Sequence, residues 1–270
     1  MRTILLARTK GHYMKEYAVE LAKKAGTVLL QGFKSLAFIK NESKDPKQLV
    51  TKFDLESEKI IIGGIKKKYP HHNILSEEAG LINKGASYTW IVDPLDGTGN
   101  FTKKNPFFSI SIALRYKKEL ILGIVYAPVL DELYATEKGK GAFLNNNTIS
   151  VSTTHEINKS SIVSCEGSDR NIIRSTKLFR EIRPDVLDMR KLGSAAIESA
   201  WVACGRAEAY VVTKINPWDI AAGAILVEEA GGKVTDFKGR TWNLNKSDLI
   251  LSNGKLHEEL LVKINEGLKS

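Results

Sequence analysis

The sequence predicts a mixed α/β fold, built as one domain with two halves, about 1–152 and 153–270. Three observations carry this. Segments with helical hydrophobic periodicity alternate with short apolar stretches of strand character. No Ser-, Gly- or Pro-rich linker separates them, and no repeat of solenoid period occurs. The chain has 270 residues, 43% of them hydrophobic, which suffices for a sizeable core within a single α/β unit.

From Tyr13 to Phe33, Ala18, Leu21, Ala22, Ala25, Val28 and Leu29 recur at helical spacing, with Gly32 as a stop. The polar, turn-rich stretch "FKSLAFIKNESKDPKQ" reads mostly as loop. Asp54 to Lys68 reads as a second helix, closed by Tyr69-Pro70. Strands follow: "YTWIVD", then "FFSISIALRY", then "LILGIVYAP" after a turn at Lys117 to Glu119. "ELYATEKGKGAFLNNNTISVS" reads as hairpins with Gly and Asn turns. In the second half, "SIVSC", "AEAYVVT" and "DLILSN" are strands. "GSAAIESAWVACG", "WDIAAGAILVEEAGG" and "KLHEELLVKINEGL" are helices.

Charge and cysteine content narrow the function. Lys and Arg number 40 against 31 Asp and Glu, a net charge of +9. The basic runs Lys66-Lys67-Lys68, Lys103-Lys104 and Lys117-Lys118 are short and scattered, and no aromatics interleave them. This favours a solvated surface that also draws in a small anionic substrate, and argues against nucleic acid. "MRTILLARTK" is too short and too charged for a signal peptide, and no apolar run is long enough to span a bilayer. A reduced, cytoplasmic protein without a membrane partner or a disulfide is expected, with Cys204 a small core residue. "GGIKKKYP" lacks the spacing of a phosphate loop, and His71-His72 read as surface residues rather than zinc ligands.

One stretch carries the chemistry: "WIVDPLDGTGNF", Trp90 to Phe101. "DPLDG" alone suits a type I turn. Here it closes a strand whose Trp90, Ile91 and Val92 read as buried. Carboxylates at the end of a buried strand repel each other and lose water, so something positive belongs there, and a hard divalent cation takes oxygen ligands.

The stretch resembles the first signature of the inositol monophosphatase family, W-x-x-D-P-x-D-G-T-x-N-F. "PWDIAAGAILVEEAGG" is similar to the second signature, "LVTKFDLESE" to the V-T-x-x-D-x-x-x-E segment, and "ILSEEAG" to the Glu-Glu segment. The resemblance runs from about Ala18 to the last helix, in the family's order. It implies a layered α-β-α-β-α sandwich of the inositol monophosphatase and fructose-1,6-bisphosphatase type. It further implies a lithium-sensitive phosphatase that hydrolyses a small-molecule phosphate monoester with metal-activated water, two or three Mg²⁺ per active site, and a homodimer.

The implied metal ligands are Glu77, Asp93, the Leu95 carbonyl, Asp96 and Asp219. Glu77 also orients the attacking water, and Asp54 and Thr98 form a hydroxyl–carboxylate pair that helps activate it. The amides of Gly97 and Thr98 are implied to bind the phosphate. Asp96, Asp219, Gly193, Ser194, Ala195 and Ala196 are implied to meet the substrate. Bland readings stand beside these: Asp54 and Asp219 as helix starts, "GSAA" as helix packing, Glu78 as an exposed glutamate. Ser168, Asp169 and Arg170 of "CEGSDR" are further candidates for a substrate loop.

The resemblance departs at one place. Inositol-specific members carry a glutamate seven residues before the second-signature aspartate, and here that residue is Val212. If "AYVVT" continues as a strand, Val212 and Lys214 share a face, which suits a substrate with a second anionic group. The alternatives are a fructose-1,6-bisphosphatase, a 3′-phosphoadenosine nucleotide phosphatase, or a non-catalytic anion-binding protein on the same scaffold. The retention of Glu77, Asp93, Asp96 and Asp219 speaks against the last.

Overall fold

The computed structural model describes residues 2–35, 52–166 and 172–269. The candidate substrate residues Ser168, Asp169 and Arg170, and most of the segment read as loop after Phe33, lie outside the described residues.

Two helices open the chain, α1 (Arg2–Ser35) and α2 (Lys52–Lys68). An eight-stranded sheet follows: β1 (Asn73–Ser76), β2 (Gly80–Ile82), β3 (Tyr88–Asp96), β4 (Ser109–Tyr116), β5 (Glu119–Ala127), β6 (Glu132–Glu137), β7 (Ala142–Leu144) and β8 (Asn147–Ile149). Its order is β2-β1-β3-β4-β5-β6-β7-β8, antiparallel except for the β1–β3 pair. The short helix α3 (Thr98–Thr102) sits between β3 and β4. A five-stranded sheet comes next, from β9 (Ser161–Cys165), β10 (Asp188–Arg190), β11 (Ala209–Val212), β12 (Lys233–Asp236) and β13 (Leu249–Ser252), in the order β10-β9-β11-β13-β12. Helices α4 (Ile172–Ile182), α5 (Ala195–Ala203), α6 (Pro217–Glu229) and α7 (His257–Lys269) complete the chain.

The buried residues show the layering. Leu21, Ala25 and Leu29 of α1 and Ile61 and Ile65 of α2 pack on Trp90, Val92, Ile110, Ile112, Leu122 and Ile124 of the large sheet. Ile91, Ala113 and Val125, on its other face, join Ala196 and Ala200 of α5, Ala221, Ala222 and Leu226 of α6, and Tyr210 and Leu251 of the small sheet. Leu178 of α4 and Leu260 and Ile264 of α7 cover the small sheet's outer face through Ile162, Val211 and Ile250. The order is α-β-α-β-α, as the resemblance implied. Strands covered on both faces read as near-continuous apolar runs, which is why β4 and β5 were legible.

The middle layer is close because its residues are small. A Cβ on Gly123 of β5 would meet Ala222 O at 2.7 Å and Ile225 Cγ2 at 2.6 Å, so α6 rests almost on the sheet backbone. Cys165 and Cys204 form no disulfide, and Cys204 is half-buried at the end of α5. His72 departs from the surface reading. It is half-buried, stacked on Tyr69 and Tyr88, and its Nδ1 accepts Trp90 Nε1–H at 3.1 Å. Among the described residues no helix is long and apolar enough to cross a membrane.

Two glycines should respond oppositely to alanine. Gly123→Ala drives a methyl group into α6 and should destabilise the protein by about 1–3 kcal/mol. Gly63, mid-helix in α2, has nothing within 4 Å of its would-be Cβ. Gly63→Ala should therefore stabilise by about 0.5–1 kcal/mol. Urea denaturation of both variants decides; signs other than these would refute the packing described for each glycine.

Candidate active site

Side-chain alternation along β3 sends Trp90 and Val92 to the α1–α2 layer and Ile91 and Asp93 to the α5–α6 layer. In a regular strand Asp96 would then face the apolar α1–α2 layer. It does not, because the ladder carries a bulge: Asp93 pairs with Ser111 and Asp96 with Ser109, so three steps on β3 match two on β4. Pro94, which has no N–H to give the ladder, lies within the bulge, and its carbonyl accepts Ser57 Oγ–H at 2.7 Å. Leu95 turns into the α1–α2 core, and both aspartates face the α5–α6 layer. The type I turn is thus replaced by a bulged strand end. Gly97 follows with φ 89°, and a Cβ there would meet Phe107 O at 2.9 Å.

Other elements bring further carboxyls to this place. Glu77 follows β1, its N–H bonded to Val92 O at 3.2 Å. Asp219 lies in the first turn of α6, where its Oδ2 accepts Asn216 N–H at 3.2 Å, while Ser111 Oγ bonds Trp218 O at 3.1 Å. Asp219 therefore serves the helix start and the site together. Asp54 is buried in the first turn of α2, which begins at Lys52, so it is not the cap residue.

The electrostatics are severe. Asp93 is 1% exposed. Burial, then the charges of Glu77, Asp96, Asp219 and Asp54, hold its carboxyl well above the usual carboxylate range. Burial with Asp96 and Glu77 pushes Asp219 up to about 8, against the Asn216 amide and a hydrogen bond with Asp93. Glu77 stands at the rim: its outer surface is open, but its carboxyl lies among the others. Burial with Glu78 and Asp96 pushes it up to about 7. Glu78 is half-buried rather than exposed, and burial raises it too.

Asp96 is held differently. Oδ2 accepts Ser109 Oγ–H at 3.2 Å, Ala196 N–H at 2.9 Å and the Ser194 hydroxyl, and Oδ1 accepts Ala195 N–H at 3.1 Å. It therefore docks on the N-terminus of α5, where Ser194 is the cap residue. "GSAA" does both jobs proposed for it, starting a helix and lining the site. Burial still raises the Asp96 carboxyl, although these donors pull it down. No three His, Cys, Asp or Glu side chains among the described residues converge at metal-ligand spacing. The donor set nonetheless suits a hard cation: clustered, buried oxygens whose main electrical neighbours are one another.

Two expectations change. Thr98 Oγ–H donates to the Leu95 carbonyl at 3.1 Å, and its single proton is not shared with Asp54. Strand β11 ends at Val212, which is fully buried, while Lys214 sits exposed in a left-handed turn (φ 51°) with its N–H on Asp248 Oδ1. Val212 and Lys214 share no face, so this pair gives no support for a second anionic group. Sequence reasoning missed Ser109 and Ser111, although two serines at period two in an apolar strand were a signal. It also missed Asn100, whose Nδ2 donates to Phe107 O and to Leu192 O at 2.7 Å.

Comparison with known proteins finds relatives along nearly the whole chain. The chain matches the inositol monophosphatase family over residues 11–269. It is 39% identical over 252 residues to a fructose-1,6-bisphosphatase/inositol-1-monophosphatase of Thermotoga maritima, covering 93% of this chain and 95% of that one. An inositol monophosphatase of Dictyostelium discoideum is 40% identical over 259 residues, covering 93% and 94%. The solved structure of the extragenic suppressor protein suhB from Bartonella henselae superposes with a TM-score of 0.89 at 32% identity, covering 94% and 99%.

A pH dependence follows for the protein in EDTA. The folded-state pKa values of these carboxyls lie above their unfolded values of about 4, so the folded state binds more protons. That stabilisation is complete below pH 4 and is lost as pH rises to about 8. Asp93→Asn removes the carboxyl on which the other four act. Its Tm should match wild type near pH 4 and exceed it near pH 8, by circular dichroism. A variant less stable than wild type at pH 8 would overturn the electrostatic account.

Proposed function

The chain belongs to the inositol monophosphatase family and is a phosphoric monoester hydrolase, and we propose that it uses Mg²⁺ to hydrolyse the phosphate monoester of a small sugar or nucleotide. The observation that carries this reading is Asp93: a fully buried carboxyl whose neighbours are Glu77, Asp96, Asp219 and Asp54. Burying uncompensated charge is unfavourable unless a cation joins it. Glu77, Asp93, Asp219 and the Leu95 carbonyl are the proposed ligands, and Asp96 joins them through Oδ1, which meets a single donor. When bound, Mg²⁺ supplies positive charge for the phosphate oxygens and acidifies a bound water.

The chain's own groups do the rest. Glu77, at the open rim, accepts the proton of the attacking water. The amides of Gly97 and Thr98, at the start of α3, receive the phosphate, where the absence of a side chain on Gly97 permits close approach. Ser194, Ala195 and Ala196 fix Asp96 beside the substrate. Val212, buried in the core, offers no hydrogen bond to sugar hydroxyls, so recognition of the alcohol part rests on other residues. Losing such contacts costs roughly 10–200-fold in kcat/KM.

Phosphate release from inositol 1-phosphate, fructose 1,6-bisphosphate and 3′-phosphoadenosine 5′-phosphate, with Mg²⁺ or EDTA, tests the proposal. Release should require Mg²⁺, be inhibited by LiCl beyond a NaCl control, and fall by several orders of magnitude in Asp93→Asn. Release from none of the three esters with Mg²⁺, or undiminished turnover by Asp93→Asn in EDTA, would sink it.

A further inference from the structure

The loop that brings donors to Asp96 is gripped from behind by a buried carboxyl. Glu198 lies at the end of the first turn of α5 and is fully buried. Its Oε1 accepts the N–H of Leu192 at 2.7 Å and of Gly193 at 3.2 Å. Its Oε2 is buried as well, with no partner at hydrogen-bond geometry among the described residues, though the Tyr210 hydroxyl is near enough to favour its charged form. On the other side, Asn100 Nδ2 donates to the Leu192 carbonyl at 2.7 Å. The peptide between Leu192 and Gly193 is thus held at both polar ends, its C=O by α3 and its N–H by α5. The next residues are Ser194, Ala195 and Ala196, whose hydroxyl and two amides all reach Asp96.

A glutamate is a poor choice for filling this space. Burial penalises its charge and lifts its pKa to about 8, in spite of the two amides. Methionine fills similar volume with no polar atom to bury. What glutamate adds is an acceptor, aimed at a peptide that Gly193, with φ 82°, leaves free of side-chain restraint.

We propose that Glu198 is a positioning residue: by accepting the Leu192 and Gly193 amides it orients the loop so that Ser194 and the first amides of α5 hold Asp96 in the active site. The proposal rests on the reading of Asp96 as part of that site, and its test separates the two.

Glu198→Gln keeps an acceptor at the same reach, while Glu198→Met keeps length and helix propensity without one. Glu198→Met should lower kcat by about 10–100-fold on whichever ester wild type releases, with a smaller change in KM, since a displacement of about 1 Å has effects of this size. Glu198→Gln should stay within about threefold of wild type. Hydrogen–deuterium exchange of wild type and both variants gives a readout that needs no activity. Glu198→Met should speed exchange of the 192–196 amides and not of the α5 amides beyond Ala200, and Glu198→Gln should leave both unchanged. Wild-type exchange at 192–196 in Glu198→Met overturns the proposal. So does a Glu198→Gln variant as impaired as Glu198→Met. A wild type that releases no phosphate defeats the functional reading alone, and exchange then decides this one. If Glu198→Met does not fold, Glu198→Ala takes its place with the same expectations.

Discussion

Two aspartates three residues apart in a strand point to opposite faces. Here both must reach the layer between the sheets, and the bulge around Pro94 is the device that turns the second one round. Asp93 keeps the parity of Ile91, the ladder gains a residue, and Asp96 returns opposite Ser109. Proline suits that position because it lacks the N–H that a regular pair would use. The Ser57 hydroxyl takes up the Pro94 carbonyl, so α2 anchors the bulge directly. A regular strand in this place would turn Asp96 toward the apolar α1–α2 layer, away from the donors of α5.

The middle layer has to bring four carboxyl-bearing elements to one place, and small residues make that possible. Ser111, Ala113 and Gly123 face α6 from the sheet, Ala222 and Ile225 face back, and Gly223 turns to α5. A Cβ on Gly223 would meet Ser199 Cβ at 2.2 Å, so α5 and α6 touch as closely as α6 and the sheet. The net charge of +9 does not resolve the repulsion. The groups acting on Asp93 are carboxylates, and the lysine runs lie on exposed helix ends and turns. Surface charge far from the cluster steers anions toward the protein but is screened at the buried site.

Much of this could be read from the chain. Apolar runs buried on both faces gave β3, β4 and β5, and helical periodicity gave α1, α2, α5, α6 and α7. Part of what escaped depends on partners distant in sequence; α4 does not, for Ser175, Leu178 and Ile182 give it a local helical period that went unread. The short strands β1, β2 and β10 have no periodicity of their own and exist through pairing with β3 and β9. His72 looked like a surface residue until Tyr69, Tyr88 and Trp90 enclosed it. "DPLDG" has the composition of a turn, and only the register against Ser109 and Ser111 makes it a bulge. Lys214 followed a strand pattern that stops two residues earlier, where Asp248 captures its amide in a left-handed turn.

Asp96 shows where stability and chemistry compete. A carboxylate offers about two lone-pair sites on each oxygen; Ser109, Ser194 and Ala196 crowd Oδ2, and Ala195 alone meets Oδ1. In this arrangement it behaves as a helix-capping anion, favoured by the partial positive charge at the start of α5. A cation can reach Asp96 through Oδ1, and at Oδ2 the Ser109 hydroxyl is the donor most easily released, because it can turn to another acceptor while the α5 amides are fixed by the helix. Asp93 and Asp219 lack such a set of donors, so they gain most from a cation and lose least by binding it. The two aspartates that the bulge brings to one face are thereby unequal, one tied to the scaffold and one left to the chemistry.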